Sequence, residues 1–324
     1  MKKLRSVSIV IPTYNEERNI GSCLKSIFAQ DYPKKLIQVI VADGGSKDGT
    51  VEIARKLGAE VIENKFKVEE KGRPYAIKKF AKGEIIGSID SDNIIPPNKD
   101  WLKKMIMPFN DKEIFATDTL YYGFRKHDNL ITKYNACIGG DDPIATYFGI
   151  NDRLCYFNNK WTGMPHEEKD KGYYIEIKFK KNKIPAIGSN GFFFRREIFD
   201  KVPNDPFIHP LFVYDLVNRG YEKMAKVKQS LYHVQDGSVK TFFRKKLRRI
   251  KRRYNGEINW RYNYDIKKKD IIKTALYIAC LFPVLKDSIT GFFRKPSFIW
   301  FFHPIATFGL IFIYAYFAIS SVKK

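Results

Sequence analysis

The chain has 324 residues, enough to bury one domain of about 200 to 250 residues and to carry an appended segment. Its formal net charge of +23 predicts an anionic partner, and nucleic acid, acidic lipid headgroups and phosphorylated substrates would each satisfy it. Four cysteines without short paired spacing exclude a zinc cluster or a disulfide framework and favour a reducing cytosolic compartment.

The first ninety residues alternate between short apolar runs and helical patterns. Val7–Ile11 predicts a strand, and apolar residues from Ile20 to Phe28 recur at helical spacing. The next predicted elements are a strand over Val39–Ala42, a helix capped by Thr50, a strand at Val61 and Ile62, a helix over Tyr75–Phe80 and a strand over Ile85–Ile89. This alternation predicts an α/β fold with a mostly parallel sheet, whose ligand site lies beyond the carboxyl ends of the strands.

The middle of the chain is less regular. Residues 121–183 show no sustained period, and no detailed structure is assigned to them. Beyond them, the pattern predicts an aromatic strand ending at Phe194, a short helix over Leu211–Val217 and a strand over Val227–Val234 that ends near His233.

A strongly basic stretch follows. Lys240–Lys269 contains thirteen Lys or Arg, with Phe242, Phe243 and Leu247 interspersed at near-helical spacing. This pattern predicts a basic amphipathic helix at an anionic membrane surface. The same charges would also suit a nucleic-acid backbone. Because a DNA-binding segment has no need of the apolar residues that come next, no nucleic-acid partner is expected.

Two apolar segments close the chain. Phe298–Ile319 has 22 residues without a formal charge, long enough to cross a hydrocarbon core of roughly 30 Å, and it is predicted as a transmembrane helix. Ile271–Leu285 is also apolar but carries Lys273 and Pro283. That segment, within residues 271–290, is therefore expected to be a shorter span, a re-entrant piece or an interfacial helix.

Acidic residues stand at the ends of two predicted strands. Asp43 follows the second strand, and Asp90-Ser91-Asp92 follows the strand Ile85–Ile89. Carboxylates at one edge of a sheet can hold a divalent cation that neutralises a diphosphate leaving group. Aspartates at strand ends also serve as turn formers or helix caps, which is the ordinary interpretation of an isolated Asp-x-Asp.

Three motifs follow the predicted strands in chain order. They are Pro12-Thr13-Tyr14-Asn15-Glu16-Glu17, Ala42-Asp43-Gly44-Gly45-Ser46-Lys47-Asp48-Gly49-Thr50 and Asp90-Ser91-Asp92. Together they resemble the inverting family 2 glycosyltransferases of GT-A fold. The resemblance extends over roughly Val7–His233. It implies a GT-A, Rossmann-like sheet flanked by helices, a nucleotide-sugar donor, and Mg²⁺ or Mn²⁺ as the divalent cation.

The resemblance also implies roles for residues at the donor site. The nucleotide pocket would include Pro12, Thr13, Tyr14, Glu16, Asp43, Lys71, Gly72, Arg73, Asp90 and Ser91. Within it, Asp43 would hydrogen-bond the base and Asp90 would face the ribose or the metal. The metal would be held by Asp90, Asp92 and His233, unless His233 is a structural histidine. A guanidinium at Arg73 would suit an anionic donor. The alternative is that Lys71 and Arg73 are solvated loop charges without a role in donor binding.

The acceptor side is implied by two later segments. Gly188-Ser189-Asn190-Gly191 resembles the family's glycine-rich segment beneath the acceptor, or is a tight strand bend. Asp215 is what remains of the family's acidic cluster and is the candidate general base, with a capping or paired acid as the alternative. A lipid phosphate acceptor, already anionic, would need little base catalysis. The Gln-x-x-Arg-Trp signature of processive relatives is missing, which favours single sugar transfer.

These patterns divide the chain into a catalytic domain over residues 1–238, a basic juxtamembrane segment over 239–270 and a membrane anchor over 271–324. The expected acceptor is a polyprenyl phosphate or a lipid-linked glycan at the cell membrane. If the anchor forms a hairpin, the catalytic domain and Lys323-Lys324 share the cytoplasmic side. The alternatives are a basic nucleic-acid- or anionic-surface-binding module and a sugar nucleotidyltransferase, although no Gly-rich, Arg- and Lys-containing signature lies near the first strand.

Overall fold

A computed structural model describes residues 4–235, 237–256, 260, 262, 264 and 266–322. The contacts divide the chain into two compact units. The first contains residues 1–121 and 165–233, and the second contains residues 122–164 and 234–324. Lys323 and Lys324, on which the predicted orientation depends, lie outside the described residues.

One sheet of ten strands organises the first unit. In chain order the strands are β1 Val7–Thr13, β2 Ile37–Asp43, β3 Glu60–Glu63, β4 Ile85–Ser88, β5 Asn93–Ile94, β6 Ile114–Gly123, β7 His166–Asp170, β8 Tyr174–Phe179, β9 Phe192–Arg195 and β10 Lys223–His233. Their spatial order is β3-β2-β1-β4-β9-β6-β10-β8-β7, and β5 pairs with β10.

The sheet is mixed, so the expectation of a mostly parallel sheet is wrong. Strands β1, β2, β3 and β4 are parallel, as the alternation with helices predicts. Strand β9 pairs antiparallel with both β4 and β6, and β8 pairs antiparallel with β7 and β10. Antiparallel neighbours need no helical crossover, so the helix-strand alternation that predicts parallel pairing is lost after β4.

Helices cover both faces of this sheet. They are α1 Glu17–Phe28, α2 Thr50–Lys56, α3 Glu69–Phe80, α4 Trp101–Ile106 and α7 His209–Asn218. One core forms beneath α1 and α4, and Phe193 of β9 packs edge-on against Trp101 there. Because side chains alternate along a strand, the neighbouring Phe192 and Phe194 face the other side, where they contact the aromatic residues of α7.

The predicted strands and helices of the first ninety residues are present, with two differences at their boundaries. Thr50 is the first residue of α2 and not its cap, because Gly49 occupies the cap position. Helix α3 begins at Glu69, several residues before the predicted Tyr75. As a result Lys71-Gly72-Arg73 lies on a helix and not in a loop.

The second unit is helical and has its own core. Its helices are α5 Leu130–Ile138, α6 Pro143–Tyr147, α8 Val239–Tyr254, α9 Lys268–Ala279, α10 Phe282–Arg294 and α11 Phe302–Val322. The core gathers side chains from α5, α6, α8 and α11, including Tyr134, Phe242 and Leu310, together with Trp300 from the turn before α11. The predicted basic helix is α8, while α5 and α6 fall where the sequence showed no period.

The two C-terminal apolar segments differ in shape. The stretch Phe298–Phe317 is long and apolar enough to cross a membrane, yet 39% of an 18-residue apolar part of it is buried inside the protein. Helices α9 and α10 reach that length only when taken together, and they are bent by 78° at the break between them. Length and composition therefore allow one or two spans within the described residues.

Candidate active site

Two of the predicted donor motifs form a pair of interlocked loops. The loops follow the parallel strands β1 and β2 and are joined by hydrogen bonds. The amide of Asn15 donates to Ser46 Oγ at 2.8 Å, and the amide of Lys47 donates to Asn15 Oδ1 at 2.9 Å. The amide of Glu16 donates to Thr50 Oγ1 at 2.8 Å. Asn15 has a φ of 54°, in the left-handed region that Asn tolerates better than most residues.

The Asp43 carboxylate organises the second of these loops. Its oxygens accept hydrogen bonds from the amides of Gly45 and Ser46, both at 2.9 Å, and from Ser46 Oγ at 2.5 Å. Thr13 Oγ1 donates to it at 3.2 Å across the β1–β2 register. Asp43 is therefore a buried residue that orders the loop at the carboxyl end of the sheet. The contact with the base that the resemblance implies for Asp43 would be made from this end of the sheet.

Other donor-motif residues form the rim of this edge. Tyr14 is exposed and Pro12 is half-buried. The Glu16 carboxylate is half-buried and accepts a hydrogen bond from Asn19 Nδ2 at 2.9 Å. Gly44 lies against Thr13 and Tyr14, where a Cβ would approach the Thr13 carbonyl oxygen at 3.4 Å. The small residue keeps the two loops close together.

Arg73 is buried at the centre of a charged cluster whose two carboxylates are partly exposed, Asp90 at 27% and Glu69 at 50%. One guanidinium nitrogen, Nη1, donates to Ser88 Oγ at 2.6 Å and to the Val10 carbonyl at 3.2 Å. The other, Nη2, donates to Asp90 Oδ1 at 2.5 Å and to Glu69 Oε1 at 2.9 Å. Burial opposes the charge, but Asp90 and Glu69 outweigh it and raise the pKa of Arg73. Arg73 is thus a fixed cation, and not the solvated loop charge that the sequence left open.

The two residues before Arg73 lie in different environments. Lys71 is exposed on the surface of α3. Gly72 is buried against the side chain of Asn64, and a Cβ there would collide with the Asn64 amide group. Of the predicted Lys71-Gly72-Arg73 segment, the structure joins only Arg73 to the Asp90 carboxylate.

A histidine that the sequence did not single out completes this cluster. His209 Nε2 lies 2.7 Å from Ser88 Oγ, at the first residue of α7. Burial, and then the nearby Arg73 guanidinium, lower the pKa of His209 well below its ordinary value. The imidazole is therefore neutral at physiological pH. No motif marked it, because His209 and Ser88 are 121 positions apart in the chain.

Asp92 and His233 meet at the edge of the sheet. His233 Nε2 lies 3.3 Å from Asp92 Oδ2, and both side chains are partly exposed. Strand β10 delivers His233 opposite Asn93, whose Nδ2 donates to Asp92 Oδ1 at 2.9 Å. Ser91 is buried beside them. The structure thus brings together two of the three predicted metal ligands, while the third, Asp90, lies against Arg73.

These donors fit a divalent cation in part. Among the described residues there is no group of three or more His, Cys, Asp or Glu side chains placed to hold a metal ion. Asp92 and His233 offer one carboxylate and one imidazole, which suit Mn²⁺. A cation held by few protein ligands takes its remaining ligands from substrate phosphates and water. The pair therefore fits a metal that binds together with a diphosphate.

The glycine-rich segment before β9 supports both histidines. Gly188 has a φ of 113°, and a Cβ there would approach the Cβ of His209 at 3.0 Å. Asn190 Nδ2 lies 3.4 Å from His233 Nδ1. Gly191 also has a positive φ, and Ser189 is half-buried. Gly188-Ser189-Asn190-Gly191 is thus a tight bend before β9, and the same four residues also lie against His209 and His233.

Asp215 lies on the last part of α7 and is half-buried. It follows His209 by six residues, which corresponds to about 9 Å along a helix and to a different face. Its neighbour Leu216 points into the core. The predicted general base therefore belongs to the same helix as His209 but does not share its orientation.

Comparison with known proteins identifies the family. The model of the family described as glycosyl transferase family 2 matches residues 8–203, more than half of the chain. The chain belongs to glycosyltransferase family 2. The GT-A fold agrees with a mannosyltransferase from Pyrobaculum calidifontis solved with GDP-mannose and Mn²⁺, at a TM-score of 0.50 and 16% identity over 99% of this chain and 84% of that one.

Curated relatives of this family 2 glycosyltransferase each match about a third of its chain. Glycosyltransferase AglE from Haloferax volcanii is 36% identical over 103 residues, which are 30% of this chain and 33% of AglE. A dolichyl N-acetyl-α-D-glucosaminyl phosphate 3-β-D-2,3-diacetamido-2,3-dideoxy-β-D-glucuronosyltransferase from Methanococcus voltae is 32% identical over 106 residues, 31% of this chain and 32% of the relative. The chain spans about a third of the length of these two relatives.

Proposed function

We propose that this glycosyltransferase transfers a sugar, with inversion and with the help of a divalent cation, from a nucleotide-sugar donor to a membrane-embedded acceptor. The acceptor is a polyprenyl phosphate or a lipid-linked glycan. The observation that carries the proposal is the pair Asp92 and His233, 3.3 Å apart, beside the Arg73–Asp90 ion pair at the carboxyl edge of the sheet. The M. voltae relative, named for a dolichyl-phosphate-linked substrate, supports the choice of acceptor.

The chain's own residues divide the work at this edge. Asp92 and His233 hold Mg²⁺ or Mn²⁺, which when bound neutralises the charge of the departing diphosphate. Pro12, Tyr14, Glu16 and Asp43 line the nucleotide. Both Nη atoms of Arg73 are hydrogen-bonded, to Asp90, Glu69, Ser88 and the Val10 carbonyl, while its buried Nε has no hydrogen-bond partner among the described residues. Arg73 therefore orients Asp90.

The bond changes balance for an inverting displacement. An acceptor oxygen forms a bond to the anomeric carbon from one face, and the bond between that carbon and the diphosphate oxygen breaks on the other. A hydroxyl acceptor transfers its proton to Asp215 as general base, and a phosphate acceptor has no proton to lose. The products are the glycosylated lipid and a nucleoside diphosphate.

We also propose the three-part division of the chain. Residues 1–238 carry catalysis, residues 239–270 face anionic headgroups, and residues 271–324 attach the chain to the cell membrane with the catalytic part on the cytoplasmic side. Helix α8 has nine Lys or Arg and no acidic residue, which supports an anionic surface as its partner.

The test uses the full chain purified in detergent. Nucleotide sugars are screened by thermal shift with Mn²⁺, and the stabilising donor is then assayed for transfer to polyprenyl phosphate. Asp92→Ala should abolish transfer, whereas Asp31→Asn, at an exposed position of the same unit, should retain it. Full activity of Asp92→Ala would remove the metal role. Release of pyrophosphate from a nucleoside triphosphate would identify a sugar nucleotidyltransferase, and DNA binding at physiological salt without vesicle binding would identify a nucleic-acid-binding module.

A further inference from the structure

The apolar stretch Phe298–Phe317 lies against protein along most of its length. His303 is fully buried and bonds the hydroxyl groups of Tyr134 and Tyr147, at 2.8 and 2.9 Å. Eleven residues later, Tyr314 donates to Asp142 Oδ2 at 2.6 Å. All three partners belong to residues 122–164. Because eleven residues of helix advance by about 17 Å, this one segment follows α11 over much of the thickness of a hydrocarbon core.

A basic helix crosses the middle of the same stretch. Gly309, the twelfth residue of Phe298–Phe317, has the ring of Phe243 from α8 so close that a Cβ would collide with it. One turn further along α8, Lys246 is buried and lies 2.8 Å from Asp141 Oδ1, and Arg249 also pairs with Asp141. In a simple span these ionised groups would lie near the bilayer centre, where each costs several kcal/mol.

The turn between α10 and α11 is also bound to protein. Arg294 Nη1 donates to the Phe157 carbonyl at 2.7 Å, and Lys295 Nζ lies over the rings of Phe124 and Tyr156. In a hairpin that crosses the membrane this turn would lie on the far side. The residues that hold it belong to the segment that also contacts Tyr314. The turn before α11 and Tyr314, in the second half of α11, are therefore both tied to residues 122–164 of the same unit.

The opposite side of α10 and α11 is apolar and exposed. Phe282, Ile289, Phe293, Phe298, Phe301 and Phe312 are each between 59% and 82% exposed. Phe282, Ile289 and Phe293 lie on α10, where their spacing of four, seven and eleven residues places them on one face. Phe298 and Phe301 lie in the turn just before α11, and Phe312 lies on α11. Ring contacts of Phe292 with Phe293 and Phe298, and of Phe298 with Phe301, join α10 to the turn that precedes α11. We call these six exposed residues the apolar face.

We infer that the apolar face enters a single leaflet, so that α10 and α11 lie along the membrane and do not cross it. The occupant is an anionic lipid surface. The unit that carries the apolar face also exposes the basic side chains of Arg244, Arg248 and Lys251 on α8. Apolar groups beside exposed cations suit an anionic lipid surface. Phe242 and Phe243 of α8 pack in the protein core, so α8 supplies charge and not apolar insertion. This inference deepens the proposed function, because a lipid acceptor gives the chain a reason to attach to a membrane. It rests on the proposed function in this respect alone.

The first experiment measures binding of the full chain to vesicles of phosphatidylglycerol and phosphatidylcholine by sedimentation. The triple variant Phe293→Ser, Phe298→Ser, Phe301→Ser should bind at least about tenfold more weakly, since it removes three large apolar groups from the lipid contact. Leu247→Ser, which removes an exposed apolar side chain from α8, should bind as the wild type does. Unchanged binding of the triple variant, with an intact circular dichroism spectrum and thermal transition, would overturn the inference.

The second experiment distinguishes attachment to one leaflet from a span. In a Cys280→Ser background, single cysteines are introduced at Lys251, Pro296 and Ser321, and sealed vesicles are labelled with a membrane-impermeant maleimide. All three should be labelled from the same side. Labelling of Pro296→Cys only by reagent enclosed within the vesicles would demonstrate a crossing hairpin, and the same result for Ser321→Cys would demonstrate a single span.

Two further outcomes separate this inference from its alternatives. If the wild type is a dimer that the triple variant dissociates while vesicle binding is unchanged, the apolar face binds a second copy of the chain and the inference is wrong. Donor hydrolysis in detergent does not involve the apolar face. A triple variant that hydrolyses donor but leaves the vesicles supports the inference, and an inactive wild type that still binds vesicles contradicts only the proposed function.

Discussion

Arg73 and Asp90 are joined by an ion pair, with Nη2 2.5 Å from Oδ1, in which the arginine side chain is 1% exposed and the aspartate 27%. The arginine comes from the middle of α3 and the aspartate from the residues just after β4. This pair orients the first carboxylate of Asp90-Ser91-Asp92 toward the protein. Asp92, the second carboxylate, lies beside His233 instead. The two aspartates of the motif therefore have different partners.

Replacing Arg73 by Met should destabilise the protein strongly. The substitution leaves the Asp90 and Glu69 carboxylates close together without their cation. Breaking a buried ion pair lowers the free energy of unfolding by about 3 kcal/mol when the remaining groups keep some contact with solvent. Urea unfolding measures the loss. Arg55→Met, at an exposed position on α2, should change stability by less than about 0.5 kcal/mol. Equal effects of the two substitutions would mean that the Arg73 cluster contributes no net stability.

Asp92→Asn and His233→Ala should each weaken Mn²⁺-dependent binding of a nucleoside diphosphate by at least about tenfold, because each removes one ligand of the proposed metal. Isothermal titration calorimetry with and without Mn²⁺ measures this. Asp31→Asn should bind as the wild type does. Binding that is independent of Mn²⁺ in the wild type would contradict the assignment of Asp92 and His233 as ligands.

The stability of the protein should fall with acid through His209. Its pKa in the folded state is well below the value of about 6.5 expected in the unfolded chain. The unfolded state therefore binds the proton first, and stability present above pH 6.5 is lost as the pH falls, at up to about 1.4 kcal/mol per pH unit. Arg73, the charged group facing His209, stays ionised throughout this range. His209→Gln should lose less stability between pH 7.5 and 5, measured by urea unfolding, and parallel pH profiles would contradict this.

Gly83→Ala should destabilise the first unit by about 1 to 3 kcal/mol. A Cβ at Gly83 would lie 2.5 Å from the Ser8 amide nitrogen and 2.7 Å from the Val7 carbonyl carbon, and backbone atoms of a central strand cannot move aside cheaply. Gly140→Ala is the matched control, because a Cβ there meets nothing within 4 Å. Thermal unfolding of both variants measures the difference, and a neutral Gly83→Ala would show that β1 can shift.

Asp215→Asn should report the class of acceptor. If the acceptor is a hydroxyl, loss of the general base should lower kcat by about 100- to 10,000-fold. If it is a lipid phosphate, which is already anionic, kcat should fall by less than about tenfold, with the donor KM unchanged in both cases. Assays with a polyprenyl phosphate and with a lipid-linked glycan give the two values. A large loss with the phosphate acceptor would mean that Asp215 has another role.

Much of the parallel half of the fold follows from local patterns. The sequence predicts the strand at Val7, the helix that carries Ile20 and the strand before Asp90. These elements are predictable because the spacing of apolar residues in a strand or a helix depends only on residues close together in the chain. The three donor motifs were equally visible, and the structure brings the loops of the first two together at one edge. The antiparallel half was not predictable, since strand β9 finds β4 over a separation of more than a hundred residues.

What the sequence alone determined is therefore the order of the elements in the first ninety residues, the family and the motifs at the carboxyl ends of the parallel strands. Tertiary structure decided which of them meet. It buries Arg73 against Asp90, pairs Asp92 with His233, and brings His209 to Ser88, because α3, α7 and β10 arrive from distant parts of the chain. It also lays α11 against residues 122–164, with Tyr134, Tyr147 and Asp142 hydrogen-bonded to it. A hydropathy profile cannot register these contacts, since it records the composition of a helix and not what surrounds it.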